Sequence, residues 1–244
     1  MNKNSCSLNN NVFFIKGLKD SLPLLGGYIP VAISFGIIAT QASFSPLEAT
    51  LISLFIYAGA SQFLLVAMVA SGASLWLAVL MTLLINARHL VYAPNLAVFI
   101  PNRRYWWLLM YGLTDQIYAL AHTRLPHIPE QYRSAWFISA SLLAWFSWVA
   151  GTALGAFIGE EVTQTWPTLT QVMPFALPAL FIVLLAPKFT SQLWSLTLGV
   201  SIVVALTLSL FEMTNLAIPA AALCGALCYF LLEKQSQGIL SNDA

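Results

Sequence analysis

The sequence predicts an all-α polytopic membrane protein, organised as a single transmembrane domain over residues 1–244. Three observations carry that reading. Hydrophobic residues make up 59% of the chain and charged residues only 8%, against about 25% charged in soluble domains, so too few charges remain to coat a soluble surface. Apolar runs of roughly the 20 residues that a helix needs to cross a bilayer recur from end to end. Prolines and glycines interrupt several of these runs, which predicts helices broken within the membrane. About eight spans fit the pattern, with seven as the alternative, and two halves of an internal repeat are discernible.

The net charge of +1 gives no basic stripe, so nucleic acid is excluded as a partner. Residues 1–15 are polar and read as a flexible tail with no signal-peptide core. The first span covers residues 18–42. Gly26, Gly27 and Pro30 fall close together in it, where a break or a simple kink is expected. Ser45 and Glu48 form a capping-box pattern with Pro46 at the first helical position, opening a second span over 47–70. Tyr57-Ala58-Gly59-Ala60-Ser61-Gln62-Phe63 in its middle is small and polar, suited either to helix packing or to a site.

The third span, 75–100, holds Asn86-Ala87-Arg88-His89-Leu90-Val91-Tyr92-Ala93-Pro94-Asn95. Such polar residues are costly in hydrocarbon and face a protein interior or an aqueous cavity. Pro94 predicts a break there, and Arg103-Arg104 closes the span. The fourth span, 108–122, contains Asp115, the one carboxylate deep in a span, with Arg88 as its candidate partner. Residues 123–133 form a polar connector between halves.

The fifth span, 135–159, carries Gly151, Gly155 and Gly159 four apart, a ridge for close helix packing. The sixth, 169–186, has Pro174 and Pro178 in its middle and is expected to be broken. Spans seven and eight, 193–211 and 216–232, carry no ionisable residue between their ends and read as scaffold. Cys224 and Cys228 are core hydrophobes rather than metal ligands. The repeat rests on Phe35-Gly36-Ile37 followed by 58–66, echoed by Leu154-Gly155-Ala156 followed by 176–183. Lys16, Lys19, Arg124, Arg133, Lys188 and Lys234 fall on one side of an eight-span arrangement, which places both termini in the cytoplasm. Arg103-Arg104 then sits outside, unless span three is re-entrant.

No Gly-x-x-x-x-Gly-Lys loop, zinc-ligand spacing or catalytic constellation is present, so no cofactor, metal site or catalytic residue is expected. Several segments together resemble the AzlC-type branched-chain amino acid permease family, in particular its YgaZ branch of L-valine exporter large subunits. They are Asp20-Ser21-Leu22-Pro23, Tyr28-Ile29-Pro30-Val31-Ala32, Phe44-Ser45-Pro46-Leu47-Glu48, Tyr57 to Phe63, Arg88-His89-Leu90-Val91-Tyr92, Gly112-Leu113-Thr114-Asp115 and Leu177-Pro178-Ala179-Leu180-Phe181. Family members often carry Thr-Asp-Glu where this chain has Thr114-Asp115-Gln116, which leaves Asp115 as the carboxylate.

The resemblance implies a secondary transporter in the bacterial cytoplasmic (inner) membrane that moves branched-chain amino acids outward with a small AzlD/YgaH-type membrane subunit. An importer or exporter of another small solute, or an accessory subunit, is the alternative. A zwitterionic cargo needs donors, acceptors and an apolar slot. Tyr57, Ser61, Gln62, Asn86, Arg88 and Tyr92 are the candidate substrate contacts. His89 and Asp115 are the candidate proton carriers. Breaks at Gly26, Gly27 and Pro30, at Pro94, and at Pro174 and Pro178 would add backbone groups and helix dipoles.

Overall fold

The computed structural model describes residues 3–100 and 106–242. The Arg103-Arg104 pair lies outside them. The helices in chain order are α1 (Lys3–Gln41), α2 (Pro46–Phe55), α3 (Gly59–Ala70), α4 (Leu75–Asn86), α5 (His89–Ala97), α6 (Trp106–Tyr111), α7 (Asp115–Arg124), α8 (Arg133–Thr165), α9 (Pro167–Val172), α10 (Ala176–Leu185), α11 (Gln192–Leu210) and α12 (Thr214–Asn242). No strand occurs among the described residues.

By length and composition, four stretches are long and apolar enough to cross a membrane: Asn10–Gln41, Leu75–Ala97, Glu130–Thr165 and Gln192–Leu210. The expected second, fourth and sixth spans are instead pairs of shorter helices: α2 with α3, α6 with α7, and α9 with α10. Long apolar side chains such as Trp76, Leu83, Phe157 and Leu206 stand on the outside, as a bilayer favours.

The chain forms two compact units, Met1–Leu180 and Phe181–Ala244. The expected connector at 123–133 joins α7 to α8. Those residues make two short 3-10 turns inside the first unit, and Arg133 binds them down by donating to the Ile128 and Phe99 carbonyls at 2.8 and 3.0 Å. In the second unit α11 and α12 lie along each other, with Ser201 against Gly225 and the Trp194 and Tyr229 rings 5.1 Å apart.

In the first unit α1 and α8 are the backbone of the architecture. Gly151, Gly155 and Gly159 of α8 face Ala32, Gly36 and Thr40 of α1, which share the four-residue spacing. Side chains this small let the two backbones touch. A Cβ on Gly155 would collide with the Ile33 carbonyl, and one on Gly36 with the Thr152 carbonyl. Above this seam a core of Tyr28, Tyr57, Leu113, Ile117, Trp136, Phe137 and Trp148 fills the interior.

Three expectations about α1 and α5 differ from the structure. The polar tail is drawn into α1, which begins at Lys3. The break at Gly26, Gly27 and Pro30 is absent, because α1 continues through both Pro23 and Pro30. Contact with α8 from Gly17 to Thr40 holds it in one piece, as neighbouring helices do for proline-bearing membrane helices. Pro94 lies within α5, and the interruption comes earlier, at Ala87-Arg88. There Leu90 N–H bonds the Ala87 carbonyl, and the Asn86 carbonyl it would have served is met by the His89 ring. The sixth span is interrupted by a 3-10 turn at Met173–Phe175 that contains Pro174, with Pro178 in the first turn of α10.

Candidate functional site

Three helix interruptions in the first unit converge. They are residues 56–58 between α2 and α3, 87–88 between α4 and α5, and 112–114 between α6 and α7. Each is explained locally. Ile56-Tyr57-Ala58 leaves the helix in a tight turn, with Ala58 N–H bonded to the Ile56 carbonyl at 2.8 Å, and Gly59 follows against the Trp148 ring, which leaves no room for a side chain. Thr114 is extended and caps α7 by accepting from Ile117 N–H at 3.3 Å.

Side chains tie the interruptions to one another. Arg88 Nη1 lies 2.7 Å from Asp115 Oδ2, joining the second interruption to the start of α7. Tyr92 of α5 donates to Asp115 Oδ1 at 2.9 Å and stacks on Tyr118 at 4.3 Å. Ser61 of α3 donates to Asn86 Oδ1 at 3.2 Å, joining the first interruption to the end of α4. Tyr111 donates to the Leu54 carbonyl at the end of α2. Tyr28 of α1 reaches Thr114 Oγ1 at 2.5 Å and Gln116 Oε1 at 3.1 Å.

His89 has a distinctive environment. Its Nδ1 is 3.0 Å from the Asn86 carbonyl and its Nε2 is 3.0 Å from the Leu113 carbonyl. Carbonyl oxygens only accept. A neutral imidazole can therefore satisfy one of them, and only the doubly protonated ring donates to both.

Among the described residues, three buried side-chain polar atoms make no hydrogen bond of normal geometry: the Tyr57 hydroxyl, which lies beside Tyr28 and Thr114, Arg88 Nε and Ser141 Oγ. Two of the three lie at these interruptions. Tyr57 is only 5% exposed, and buried polar atoms are nearly always satisfied in folded proteins. In addition, α2, α4 and α7 each open with a side-chain cap from Ser45, Ser74 or Thr114, whereas α3 opens at Ala58 without one. Its first N–H groups and positive dipole end are thus left for something else.

The structure therefore brings Tyr57, Ser61, Asn86, Arg88, His89, Tyr92 and Asp115 together. Gln62 is nearby, but its amide is fully engaged. It donates to the Ile52 carbonyl and Ser53, and accepts from Trp148 Nε1 at 2.9 Å. That makes it a brace for the first interruption. Gly26 and Gly27 lie on α1, Gly27 against Leu180, while Pro30, Met173 and Phe175 line a recess with Ile33 and Ser34. Gly151, Gly155 and Gly159 are packing positions on α8.

Sequence reasoning passed over Tyr28, Thr114, Gln116 and Trp148 as site components. The available signal was Trp148 and Thr152, four apart on α8 and so on one helix face. Thr152 bonds Ser53 at 2.8 Å.

The AzlC protein family matches residues 23–162 of the chain. The chain is 39% identical to the inner membrane protein YgaZ of Escherichia coli over 88% of its own length and 87% of that protein's. It is 34% identical to an uncharacterised membrane protein of Archaeoglobus fulgidus, over 91% and 96% of the two chains. Identity to the branched-chain amino acid transport protein AzlC of Bacillus subtilis is 28%, over 82% and 78%. No solved structure matches. With the family matched across more than half of its residues, including all three interruptions, the chain belongs to the AzlC family of membrane proteins.

Proposed function

We propose that the chain is a secondary transporter that exports branched-chain amino acids, L-valine foremost, across the bacterial cytoplasmic membrane. In this reading it works with a small AzlD/YgaH-type membrane subunit, spans the membrane several times with both termini in the cytoplasm, and is driven by protons. The observation that carries it is the pair of buried donors at converging helix interruptions, Arg88 Nε without a partner and the Tyr57 hydroxyl beside Tyr28 and Thr114. The name of the Bacillus relative supports the cargo class.

The cargo carboxylate binds the free edge of Arg88, the Tyr57 hydroxyl and the uncapped start of α3. Arg88 serves two partners at once, because its Nη1 holds Asp115 while Nε stays open. The end of α2, the negative end of a helix dipole, and Asp115 receive the ammonium. Ser61 and Asn86 set the spacing between α3 and α4, and Tyr92 orients Asp115.

Proton coupling follows from His89 and Asp115. A proton arriving on His89 completes its second carbonyl bond and draws the Asn86 and Leu113 ends together. A proton on Asp115 weakens its hold on Arg88 and frees the guanidinium for cargo. An apolar slot discriminates by only about 1–3 kcal/mol per methylene, so valine, leucine, isoleucine and methionine compete.

The test is efflux of preloaded L-valine from proteoliposomes, with and without the small subunit and with and without an imposed pH gradient. Efflux that needs the gradient supports the reading. Equal retention in protein-containing and protein-free vesicles would sink it.

A further inference from the structure

The α2–α3 and α9–α10 interruptions flank the same helix pair, and their contacts with it obey one rule. α1 and α8 run parallel in a constant register. Ala32 meets Gly151 and Thr40 meets Gly159, and the backbones touch at Gly36 and Gly155, with the same sequence separation in each pair. At the middle pair the contact is reciprocal. A Cβ on Gly36 would strike the carbonyl three residues before Gly155, and a Cβ on Gly155 the carbonyl three residues before Gly36. Reciprocal contacts of this kind are the mark of a two-fold axis, here lying along the two helices.

Element order follows the same rule. After α1 comes α2 with proline at its first position, an interruption, then α3. After α8 comes α9 with proline at its first position, an interruption, then α10. Each set leads into a long apolar stretch, Leu75–Ala97 or Gln192–Leu210.

Hydrogen bonds agree as well. Ser53 of α2 bonds Thr152 of α8 at 2.8 Å, and Met173 accepts from Ser34 of α1 at 2.7 Å. Moving Ser53 and Thr152 by the α1–α8 separation lands within one residue of Met173 and Ser34. Gly59 of α3 meets Trp148 of α8, and Leu180 of α10 meets Gly27 of α1, two residues from the positions that the same separation gives.

We propose that the chain is an internal duplication of a four-span unit, and that Met173-Pro174-Phe175 is the counterpart of the Tyr57 interruption and lines the second side of the same aqueous path. This rests on the transport reading above. Irregular backbone at membrane depth is found only where it is buried in protein or lines a water-filled cavity. Val172 and Phe175 are 54% and 66% exposed, so this turn is not buried within its unit. It borders a recess of about 530 Å³ shared with Pro30, Ile33 and Ser34 of α1. Ala176, Leu177 and Leu180 just beyond it pack on the core cluster that includes Tyr28 and Tyr57. The Tyr57 side carries the polar donors, and the Met173 side is apolar. The second interruption is therefore the wall along which the aliphatic side chain of the cargo passes.

The experiment uses the full chain in vesicles, with Cys6, Cys224 and Cys228 replaced by serine. Met173→Cys and Ala176→Cys are labelled with a charged, membrane-impermeant thiosulfonate, with the outward-facing Leu83→Cys as the reference. A thiol in hydrocarbon stays protonated and unreactive, so labelling at 173 and 176 is expected to be about tenfold faster or more, and slowed by saturating L-valine. Rates no faster than at Leu83→Cys would overturn the proposal. So would fast labelling that vanishes on adding the small subunit, whatever the cargo. Fast labelling that no branched-chain amino acid slows would keep the path and count against the cargo assignment instead.

Discussion

Arg88 has five N–H donors, and its buried Nε is left open while Nη1 holds Asp115. A lysine would keep the charge but not the planar fork, so Arg88→Lys is expected to abolish L-valine efflux while the protein still reaches the membrane. Tyr57→Phe removes one hydroxyl from a site that otherwise keeps its shape. A hydrogen bond to a charged group contributes about 1.5–3 kcal/mol, so the KM for L-valine should rise at least tenfold with little loss of folded protein. An unchanged KM would place the carboxylate elsewhere. Asp115→Asn is expected to slow valine counterflow and to remove its response to pH, measured as counterflow against gradient-driven efflux. The Arg88–Asp115 pair was legible in the sequence because opposite charges in apolar spans have to find each other. The engagement of Gln62 was not, since its partners Ser53 and Trp148 come from separate helices.

At the scale of elements, the α1–α8 seam positions everything else. Gly155→Ala places a methyl where the Ile33 carbonyl now lies. Overpacking of this kind costs about 1–3 kcal/mol, so the variant should unfold at lower temperature in detergent, whereas Gly199→Ala, with open space around it, should not. The Gly151-Gly155-Gly159 ridge was readable from spacing alone. Its partner ridge, Ala32-Gly36-Thr40, was obscured because alanine and threonine are unremarkable in an apolar run. Proline proved an incomplete guide to helix breaks. Pro23, Pro30 and Pro94 lie inside continuous helices, while 56–58 and 112–114 are interrupted without any proline. There the buried hydrogen bonds from Trp148 to Gln62 and between Tyr28 and Thr114 brace the backbone path, and such long-range partners leave no mark on local sequence.

For the whole molecule, membrane class followed from composition, and the structure adds how the spans are made. Four of the expected spans are pairs of shorter helices, α2–α3, α4–α5, α6–α7 and α9–α10, the form in which transporters present helix ends to small charged cargo. The apolar residues on the outside and the polar atoms gathered at three interruptions divide the molecule into a lipid-facing surface and a site. The proposed activity of this site is outward movement of branched-chain amino acids on a proton gradient, through Arg88. The most direct test is L-valine efflux from preloaded proteoliposomes holding the chain and its small subunit, compared between wild type and Arg88→Lys under an imposed pH gradient. Rapid, gradient-dependent efflux is expected from wild type, and its loss in the variant. Equal efflux from both would contradict the proposed activity.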